Sequence, residues 1–333
     1  MPVSRRRFLG TGAAMLAVPP AWAQPATKLP GFPGRPLELL VAYPAGGGMD
    51  ITARILAKHL EPAAGNPVLV VNRAGAAGLV GHTWLATQAA PDGHVLGVLA
   101  SNFWQDSFFR SEGRWSYRDI VPIAFLNYDP VTWIVSSKGP FAQAGLTDVV
   151  EAARKNPGGI KVAASTATST AFTLDQVARY SAVEFLPVAY QGGRQALTDL
   201  LGGHIDVSYG YLGEYRSQLD AGEVRVLAVT SAQRIPALPD VPTFNEVLGQ
   251  DDVLWDAFRF VGAPAKTPQA RLQWLGEALR QAIATPELAQ EYVRLGATPD
   301  ATLNEPGRLA EEFERRASRE RDFFVKTGRL QPA

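Results

Sequence analysis

The residues of this sequence best suited to chemistry form a glycine-rich segment between a strand pattern and a helix pattern. Before it, the apolar run Leu37–Val41 is typical of a strand, and after it apolar residues recur at helical spacing from Ile51 to Leu60. A turn of this kind directs several backbone N–H groups to one point, where the helix N-terminus adds partial positive charge. The segment therefore predicts a site for an anion, most naturally a phosphate or a carboxylate. It reads Tyr43-Pro44-Ala45-Gly46-Gly47-Gly48-Met49-Asp50.

Three more loops of small and hydroxyl-bearing residues come directly after predicted strands. Open α/β sheets bind ligands at the carboxyl ends of their strands, so these loops favour one binding cleft shared with the glycine-rich segment. For each loop alone, the alternative is an ordinary strand-to-helix turn in which Ser, Thr or Asn caps the helix. The loops are Ser101-Asn102 after Val95–Ala100, Ser165-Thr166-Ala167-Thr168-Ser169-Thr170 after Ile160–Ala164, and Tyr190-Gln191-Gly192-Gly193 after Phe185–Ala189.

Signatures of catalysis, metals and cofactors are missing from the sequence. There is no G-x-S-x-G elbow, no G-x-x-x-x-G-K-S/T loop and no H-E-x-x-H helix. The segment Gly75-Ala76-Ala77-Gly78 follows a strand, but its glycine spacing does not match the dinucleotide fingerprint. The four histidines lack metal-ligand spacing and there is no cysteine, so we expect no metal, no cofactor and no disulfide.

The first 23 residues have the pattern of an export signal. Ser4–Leu9 carries a twin-arginine pattern, Leu9–Val18 is a short apolar run, and Ala21-Trp22-Ala23 is an A-x-A cleavage site. The apolar run is too short to span a bilayer. We therefore expect a Tat-type signal peptide over residues 1–23, cleavage after Ala23 and a periplasmic mature chain. The general secretory route stays open, because consecutive arginines also suit it.

Charge and size narrow the class of the mature protein. Removal of residues 1–23 takes away three arginines and no acid, which leaves 29 basic residues against 32 acidic ones. A near-neutral, slightly acidic surface argues against nucleic acid as a partner. No later apolar run reaches the length of a membrane span, so we expect a soluble product of roughly 310 residues in one large domain or two.

Short apolar strand patterns alternate with amphipathic helix patterns through the middle of the chain, which is typical of parallel α/β sheets. The C-terminal part differs. There, Thr267-Pro268 and Thr285-Pro286 each pair an N-cap with a proline at the first helical position, and Glu305–Lys326 predicts a long charged helix. The proline-containing stretch Ser231–Gln250 predicts an irregular connection between two bodies.

The sequence resembles the Bug (TctC-like) extracytoplasmic solute receptors of tripartite tricarboxylate transporters over almost its whole mature length. The resemblance implies an α/β, two-domain periplasmic-binding-protein fold of the Venus-flytrap kind (type II-like), with a ligand cleft between the domains. It implies a domain 1 made of residues 33–128 and 231–333, and a domain 2 made of residues 129–230. The matching motifs are Val41-Ala42-Tyr43-Pro44-Ala45-Gly46-Gly47-Gly48-Met49-Asp50, Val71-Asn72-Arg73-Ala74-Gly75-Ala76-Ala77-Gly78, Ala90-Pro91-Asp92-Gly93-His94, Ala196-Leu197-Thr198-Asp199-Leu200-Leu201-Gly202-Gly203-His204-Ile205-Asp206 and Leu238-Pro239-Asp240-Val241-Pro242-Thr243-Phe244-Asn245-Glu246.

The same resemblance implies a function in transport. The protein would capture a small carboxylate (an organic acid, an amino acid or an aromatic acid) by cleft closure and without catalysis. It would then deliver that solute, as a monomer, to integral-membrane transporter subunits. Two other interpretations stay open: a periplasmic sensory receptor that feeds a signalling partner, and a periplasmic hydrolase on a similar α/β scaffold.

Carried over to this sequence, the resemblance implies that the Tyr43–Asp50 loop and the Gly75–Gly78 turn hold the ligand from domain 1. The Ser165–Thr170 loop and Gln191-Gly192 would hold it from domain 2. The residues expected to bind the ligand are Tyr43, Pro44, Ala45, Gly46, Gly47, Gly48, Ala77, Gly78, Ser101, Asn102, Ser165, Thr166, Ser169, Thr170, Gln191, Gly192 and Asp206.

Departures from the family pattern leave the identity of the ligand open. The Ser165–Thr170 loop lacks the glycines and the nearby histidine usual in the family, and Gln191 stands where the family has a lysine. Residues 43–50 and 165–170 contain no Lys or Arg, so amides, hydroxyls and helix ends would hold a carboxylate, with Arg73 and Arg194 beside them. Asp50 is expected to cap its helix. For Trp104, two alternatives are equal: a place at the pocket, and packing in the core or at its rim.

Overall fold

The computed structural model describes residues 29–165 and 169–331. The predicted signal peptide over residues 1–23 and its cleavage site after Ala23 lie outside the described residues. The strands of the described chain are β1 Leu37–Val41, β2 Val68–Asn72, β3 Val95–Leu99, β4 Ile120–Pro130, β5 Thr132–Ser136, β6 Lys161–Ala164, β7 Leu186–Ala189, β8 Ser208–Gly210, β9 Val224–Val229 and β10 Asp256–Pro264. Its α-helices are α1 Gly48–Ala64, α2 Leu79–Thr87, α3 Asn102–Phe109, α4 Leu146–Lys155, α5 Ser169–Ser181, α6 Gly193–Leu201, α7 Leu212–Asp220, α8 Phe244–Leu248, α9 Gln269–Ile283, α10 Pro286–Arg294 and α11 Arg308–Lys326.

The first lobe is built on a five-stranded sheet in the order β2-β1-β3-β10-β4. β1 pairs in parallel with β2 and β3, while β10 runs antiparallel to its neighbours β3 and β4. Leu39 packs in a core shared with α1 and α9, and the next residue, Leu40, packs in a core shared with α3 and α11. Because helices cover both faces of this sheet, every residue of β1 except Glu38 is apolar and buried.

The second lobe repeats this arrangement. β8, β5 and β9 form an antiparallel sheet with β5 in the middle, and β6 pairs in parallel with β7. A parallel bridge between Val162 and Val207 joins the two groups, which gives the joined order β7-β6-β8-β5-β9. In both lobes, therefore, three parallel strands lie beside an antiparallel strand. This strand is β10 in the first lobe, where the chain returns from the second lobe, and β5 in the second lobe, where the chain arrives from the first.

Two crossings of the chain connect the lobes. β4 leads directly into β5 at Val131, and the chain returns between β9 and β10. The crossings are tied together, because the Val131 N–H donates to Thr230 Oγ1 at 2.9 Å and the Thr230 N–H donates to the Val131 carbonyl at 3.0 Å. Phe244, Val253 and Trp255 pack in the core of the second lobe, so the return crossing lies close to the start of β10.

Some segments predicted to be irregular are helical, among them Ser169-Thr170, the first two residues of α5. Ser101-Asn102 was expected to be a loop, but Asn102 is the first residue of α3. All residues from Asn102 to Asp106 are buried, so this helix has no polar face and hence no helical period in its sequence. The stretch Ser231–Gln250 contains α8, which a reciprocal pair of hydrogen bonds between Thr243 and Glu246 caps at its N-terminus.

The helices of the C-terminal part agree closely with expectation. Thr285 is the N-cap of α10 with Pro286 at its first position, as predicted, whereas α9 begins one residue later than predicted, with Pro268 as its N-cap. α11 confirms the predicted charged helix and spans 19 residues. Within the described part of the chain, no helix has both the length and the apolar character needed to cross a bilayer.

Candidate ligand-binding site

A cavity of about 270 Å³ lies between the two lobes, at the carboxyl ends of β1, β3 and β6. Most of its wall is apolar, with Tyr43, Met49 and Ala257 from the first lobe and Tyr209 and Tyr211 from the second. Most of the residues predicted to bind the ligand come together here, although they are far apart in the sequence. Those that line the cavity are Tyr43, Pro44, Ala45, Gly47, Gly48, Ala77, Ser101, Asn102, Ser165, Ser169, Thr170, Gln191 and Gly192.

Three of the predicted residues do not line the cavity. Gly46 (φ +78°) and Gly78 (φ +101°) are left-handed turn residues behind it, and a Cβ on Gly78 would lie 2.6 Å from the Tyr43 hydroxyl. Asp206 lies at the end of β6 that is away from the cavity. Its carboxylate accepts the N–H of Lys161, the first residue of β6, at 2.8 Å. Thr166 lies outside the described residues.

Four helices begin at the cavity. Gly48, Asn102, Ser169 and Gly193 are the first residues of α1, α3, α5 and α6, and each of them lines it. The first N–H groups of a helix have no partner within the helix, and the helix dipole places partial positive charge there. Two of these helices come from each lobe, so both lobes contribute positive potential to the same cavity.

The glycine-rich loop is held by the chain's own carboxylates to a degree that the sequence analysis did not anticipate. The Gly46 N–H donates to Asp50 at 2.8 Å, and the Gly48 N–H donates to Glu214 Oε1 of the second lobe at 2.8 Å. Asp50 lies in the first turn of α1, whose N-cap is Gly47, and so braces the loop from inside the helix. Burial acts to raise the pKa of Asp50, but hydrogen bonds from Arg54, Gly46 and Asn72 keep it below its usual value.

The Gly75–Gly78 turn has a strained backbone. Ala76 (φ +45°) and Ala77 (φ +49°) both adopt the left-handed conformation, which costs of order 1–3 kcal/mol for a residue with a Cβ. Arg110 holds this geometry by donating to the carbonyls of Ala76 at 2.7 Å and Ala77 at 3.3 Å. The Ala77 N–H thereby points across the cleft and donates to Gln191 Oε1 at 2.9 Å.

Arg110 is itself held by two buried side chains that contact each other. Asp106 pairs with Arg110, and its other carboxylate oxygen lies 2.7 Å from His82 Nδ1. Asp106 and His82 are buried inside the first lobe. His82, expected to be either a surface or a core residue, lies in the core. Asp106 and Arg110 were not predicted, because their four-residue spacing carries no sign that the pair reaches the turn before α2.

The second lobe's hydroxyl loop is hydrogen-bonded to the neighbouring strands. Ser165 Oγ donates to the Tyr190 carbonyl at 2.9 Å and contacts the Tyr209 hydroxyl, and the Ser165 N–H donates to Thr170 Oγ1 at 2.9 Å. Burial raises the pKa of Tyr209 well above its usual value, so its hydroxyl keeps its proton. These bonds fix the place where α5 begins beside the cavity.

Among the described residues that line the cavity, Glu214 and Arg194 are the ones with charged side chains. Arg194 Nη2 donates to the Gly46 carbonyl at 3.0 Å, so Arg194, expected beside the loops, does contact one of them. Arg73, the other arginine considered, instead stacks over Trp84, with its guanidinium carbon 3.9 Å from the ring centroid. Glu214 was missed, since nothing in its local sequence indicates that α7 meets α1.

A buried ion pair lies beneath the same region. Arg259 on β10 contacts Asp129 on β4 at 2.6 Å, and its guanidinium lies 4.9 Å from the Tyr211 ring centroid. Burial raises the pKa of Asp129 to about 7; Arg259 opposes this rise and Glu214 adds to it. A Cβ on Gly48 would lie 2.9 Å from Arg259 Nη2, so the glycine lets α1 begin directly over the ion pair.

Other residues considered for the site belong elsewhere. Trp104 is fully buried in the first lobe, stacked on Phe260 with Phe313 at its edge, which decides its two alternatives in favour of the core. Among the described residues there is no group of three or more His, Cys, Asp or Glu side chains arranged to hold a metal ion.

Two lobes of matching strand order around one shared cavity define a two-domain solute-binding protein of the Venus-flytrap class. The chain belongs to the tripartite tricarboxylate transporter family receptors (TctC), whose sequence profile matches residues 52–312. It is 33% identical to a UPF0065 protein in the tcbD-tcbE intergenic region of a Pseudomonas species, over 88% of this chain and 86% of that protein. It is 28% identical to the protein BugT of Bordetella pertussis, over 89% of this chain and 91% of that protein.

Solved structures of similar proteins confirm the fold. The periplasmic binding protein BugD is 27% identical with a TM-score of 0.82, over 90% of this chain and 99% of that one. MatC from Rhodopseudomonas palustris with bound malate is 24% identical with a TM-score of 0.78, over 86% of this chain and 98% of that one. The predicted Bug family and the predicted two-domain periplasmic-binding-protein fold are thus both confirmed, and the protein is a member of a family of periplasmic solute-binding receptors.

Proposed function

We propose that this protein captures a small carboxylated solute in the cavity between its lobes and hands it on unchanged to integral-membrane transporter subunits. The observation that carries the proposal is the convergence of four helix N-termini, two from each lobe, on one cavity, where Glu214 takes up one N–H at the start of α1. Such ends attract anions, and a carboxylate is the anion that the family's transport role favours. MatC holds malate, but at 24% identity its likeness to this chain concerns the fold alone, so the particular acid stays open.

The energetics of capture are favourable without a direct ion pair. Each hydrogen bond from a backbone amide or hydroxyl to a carboxylate contributes about 1.5–3 kcal/mol net. A few such bonds, together with burial of the solute's carbon atoms against Tyr43, Met49 and Tyr209, reach the roughly 8 kcal/mol that micromolar affinity requires after ordering costs.

Closure of the two lobes would trap the solute. Three hydrogen bonds already join the lobes beside the cavity: Gly48 to Glu214, Ala77 to Gln191, and Arg194 to Gly46. These bonds exist only when the lobes are close together, so they stabilise the same state that a solute held by both lobes stabilises. We propose that domain 1 comprises residues 33–128 and domain 2 begins at residue 129, with the return to domain 1 moved from residue 231 to near Asp256.

Capture without turnover fits the chemistry of the cavity wall. A serine or threonine nucleophile needs a general base beside it. The described wall contains no histidine, and the carboxylate of Glu214 accepts the N–H groups of Gly48 and Tyr211 and no serine or threonine hydroxyl of the described residues. We propose in addition that residues 1–23 direct export to the periplasm and that the mature protein acts as a monomer. A pull-down of detergent-solubilised membranes with the mature protein would distinguish transporter subunits from a signalling partner.

The proposal is tested by a thermal-shift screen of small carboxylic acids on the mature protein, followed by calorimetric titration of each hit. We expect at least one acid to raise the melting temperature, because a solute that binds the folded state stabilises it by mass action. The acid should be recovered intact after long incubation. If no acid in a broad panel shifts the melting temperature, or if an acid is converted to product, the proposal is wrong.

A further inference from the structure

The carboxylate of Glu214 lies at the cavity, in a position that both lobes define. Its Oε2 accepts the Tyr211 N–H at 3.2 Å, which caps α7, the helix on which Glu214 lies. Its Oε1 accepts the Gly48 N–H of the first lobe at 2.8 Å, a bond that α7 does not need for its own stability. The carboxylate is thus fixed against the N-terminus of α1, where a free anion would otherwise bind.

The chain leaves space for this carboxylate. An ideal Cβ on Gly193 would lie 2.3 Å from Glu214 Oε2, and one on Gly48 would lie 3.5 Å from Oε1. Gly193 is the first residue of α6, so the carboxylate faces the beginning of a second helix as well. A side chain at position 193 would push the carboxylate away from its place beside the cavity.

Arg194 and Glu214, the charged residues of the cavity wall, differ in hydrogen bonding, because one only donates and the other only accepts. The Arg194 guanidinium uses Nη2 for the Gly46 carbonyl and has further N–H groups for a solute carboxylate. Glu214 can only accept, and each of its oxygens has accepted one N–H and can accept a second hydrogen bond. A solute group facing Glu214 must therefore be a donor.

A second solute carboxylate at this position would be repelled. It would place two acceptors with no proton between them, and two like charges, inside a cavity whose wall is mostly apolar. An ammonium group at the same position would donate hydrogen bonds to Glu214 and neutralise its charge.

We infer that Glu214 makes this cavity selective for solutes that carry one carboxylate and one ammonium group over solutes of similar length that carry two carboxylates. The inference rests on the proposed function and narrows its class of solute to amino acids in the broad sense. Arg194 contacts Gly46 and Glu214 contacts Gly48, so the two ends of the Gly46–Gly48 segment supply one partner for each end of such a solute.

The test is calorimetric titration of the mature protein with matched pairs of solutes. Glutarate is compared with 4-aminobutanoate, and terephthalate with 4-(aminomethyl)benzoate. The wild-type protein should bind the ammonium member of at least one pair more tightly. In Glu214→Gln, which keeps a carbonyl oxygen for the Gly48 N–H, the ratio of the two affinities should move toward the dicarboxylate by about tenfold or more. The exposed Glu223→Gln, with the same change of charge after α7, should keep the wild-type ratio.

The outcomes separate this inference from the proposed function. If acids bind but Glu214→Gln changes both members of each pair in parallel, the inference is overturned and the proposed function stands. If no acid of the pairs or of the wider panel binds either protein, both are overturned. Gly193→Ala is the second variant: it keeps the charge but displaces the carboxylate, and it should shift the ratio in the same direction even if Glu214→Gln fails to fold.

Discussion

Among single residues, Glu320 is a carboxyl group in a place where charge is costly. It lies on α11 inside the first lobe, is buried, and accepts a hydrogen bond from Gln105 Nε2 at 2.7 Å. Burial raises the pKa of Glu320 to about 7, and the bond from Gln105 opposes this only in part. Because this pKa exceeds the unfolded value of 4.5, the folded protein binds the proton more tightly than the unfolded chain does. The stability that this group contributes is therefore complete below the unfolded pKa and is lost as the pH rises through 7.

Replacement of Glu320 should remove that pH dependence. Glu320→Gln keeps an acceptor for Gln105 but cannot ionise, so its free energy of unfolding should match that of the wild type near pH 4. At pH 8 the variant should be more stable by up to about 3 kcal/mol. Urea unfolding between pH 4 and pH 8 measures the difference, and Glu311→Gln, an exposed position on the same helix, is the control. Parallel stability curves for wild type and Glu320→Gln would contradict the assignment.

Among the elements, the turn before α2 is shaped by the C-cap residue of α3, Arg110. Arg110 bonds the carbonyls of two left-handed alanines, Ala76 and Ala77, and so keeps the Ala77 N–H directed at the second lobe. Without that support the turn can relax to a less strained backbone, which would rotate the amide away from the cleft. Arg110 thus acts as a positioning residue for the binding site.

Arg110→Gln should therefore weaken solute binding by about tenfold or more, a cost comparable to the strain that the arginine now holds in place. Calorimetry on a solute identified by the screen gives the affinity, and thermal melting gives the stability. Arg114→Gln removes an exposed arginine of the neighbouring loop and should change neither. A lower melting temperature of Arg110→Gln with unchanged affinity would mean that Arg110 has a purely structural role.

An element or a site residue can be predicted from the sequence when the residues that determine it lie close together in the chain. The glycine-rich turn and the cap at Thr285 were predictable, because strand, turn and cap signals lie within a few residues of one another. α3 was not predictable, because burial on all sides removes the periodicity on which a helix prediction depends. Glu214 and Arg110 were not predictable either, since each meets its loop through tertiary packing across 166 and 34 residues of sequence.

In the molecule as a whole, the lobes are linked by more than the two crossings at Val131 and near Asp256. α11 begins in the first lobe, where Phe313 packs, and ends where the buried Phe324 contacts Phe172 of α5, with ring centroids 4.6 Å apart. Phe324 also contacts Phe109 of α3 at 4.7 Å. Two of the helices that begin at the cavity, α3 and α5, therefore meet at one cluster of aromatic rings. Any movement of the lobes relative to each other must change the contacts within this cluster or move the cluster as a unit.

Closure itself is testable by solution scattering. Saturation with a solute found in the screen should reduce the radius of gyration of the mature protein, because the solute stabilises the closed state through contacts with both lobes. Gln191→Ala removes the acceptor of the Ala77 N–H and should weaken binding by about fivefold to tenfold, the worth of one cross-lobe hydrogen bond. Gln233→Ala, an exposed glutamine of the second lobe, should bind as the wild type does. If the scattering profile of the wild type is the same with and without saturating solute, capture occurs without closure, and the cross-lobe bonds are then a permanent feature of one rigid molecule.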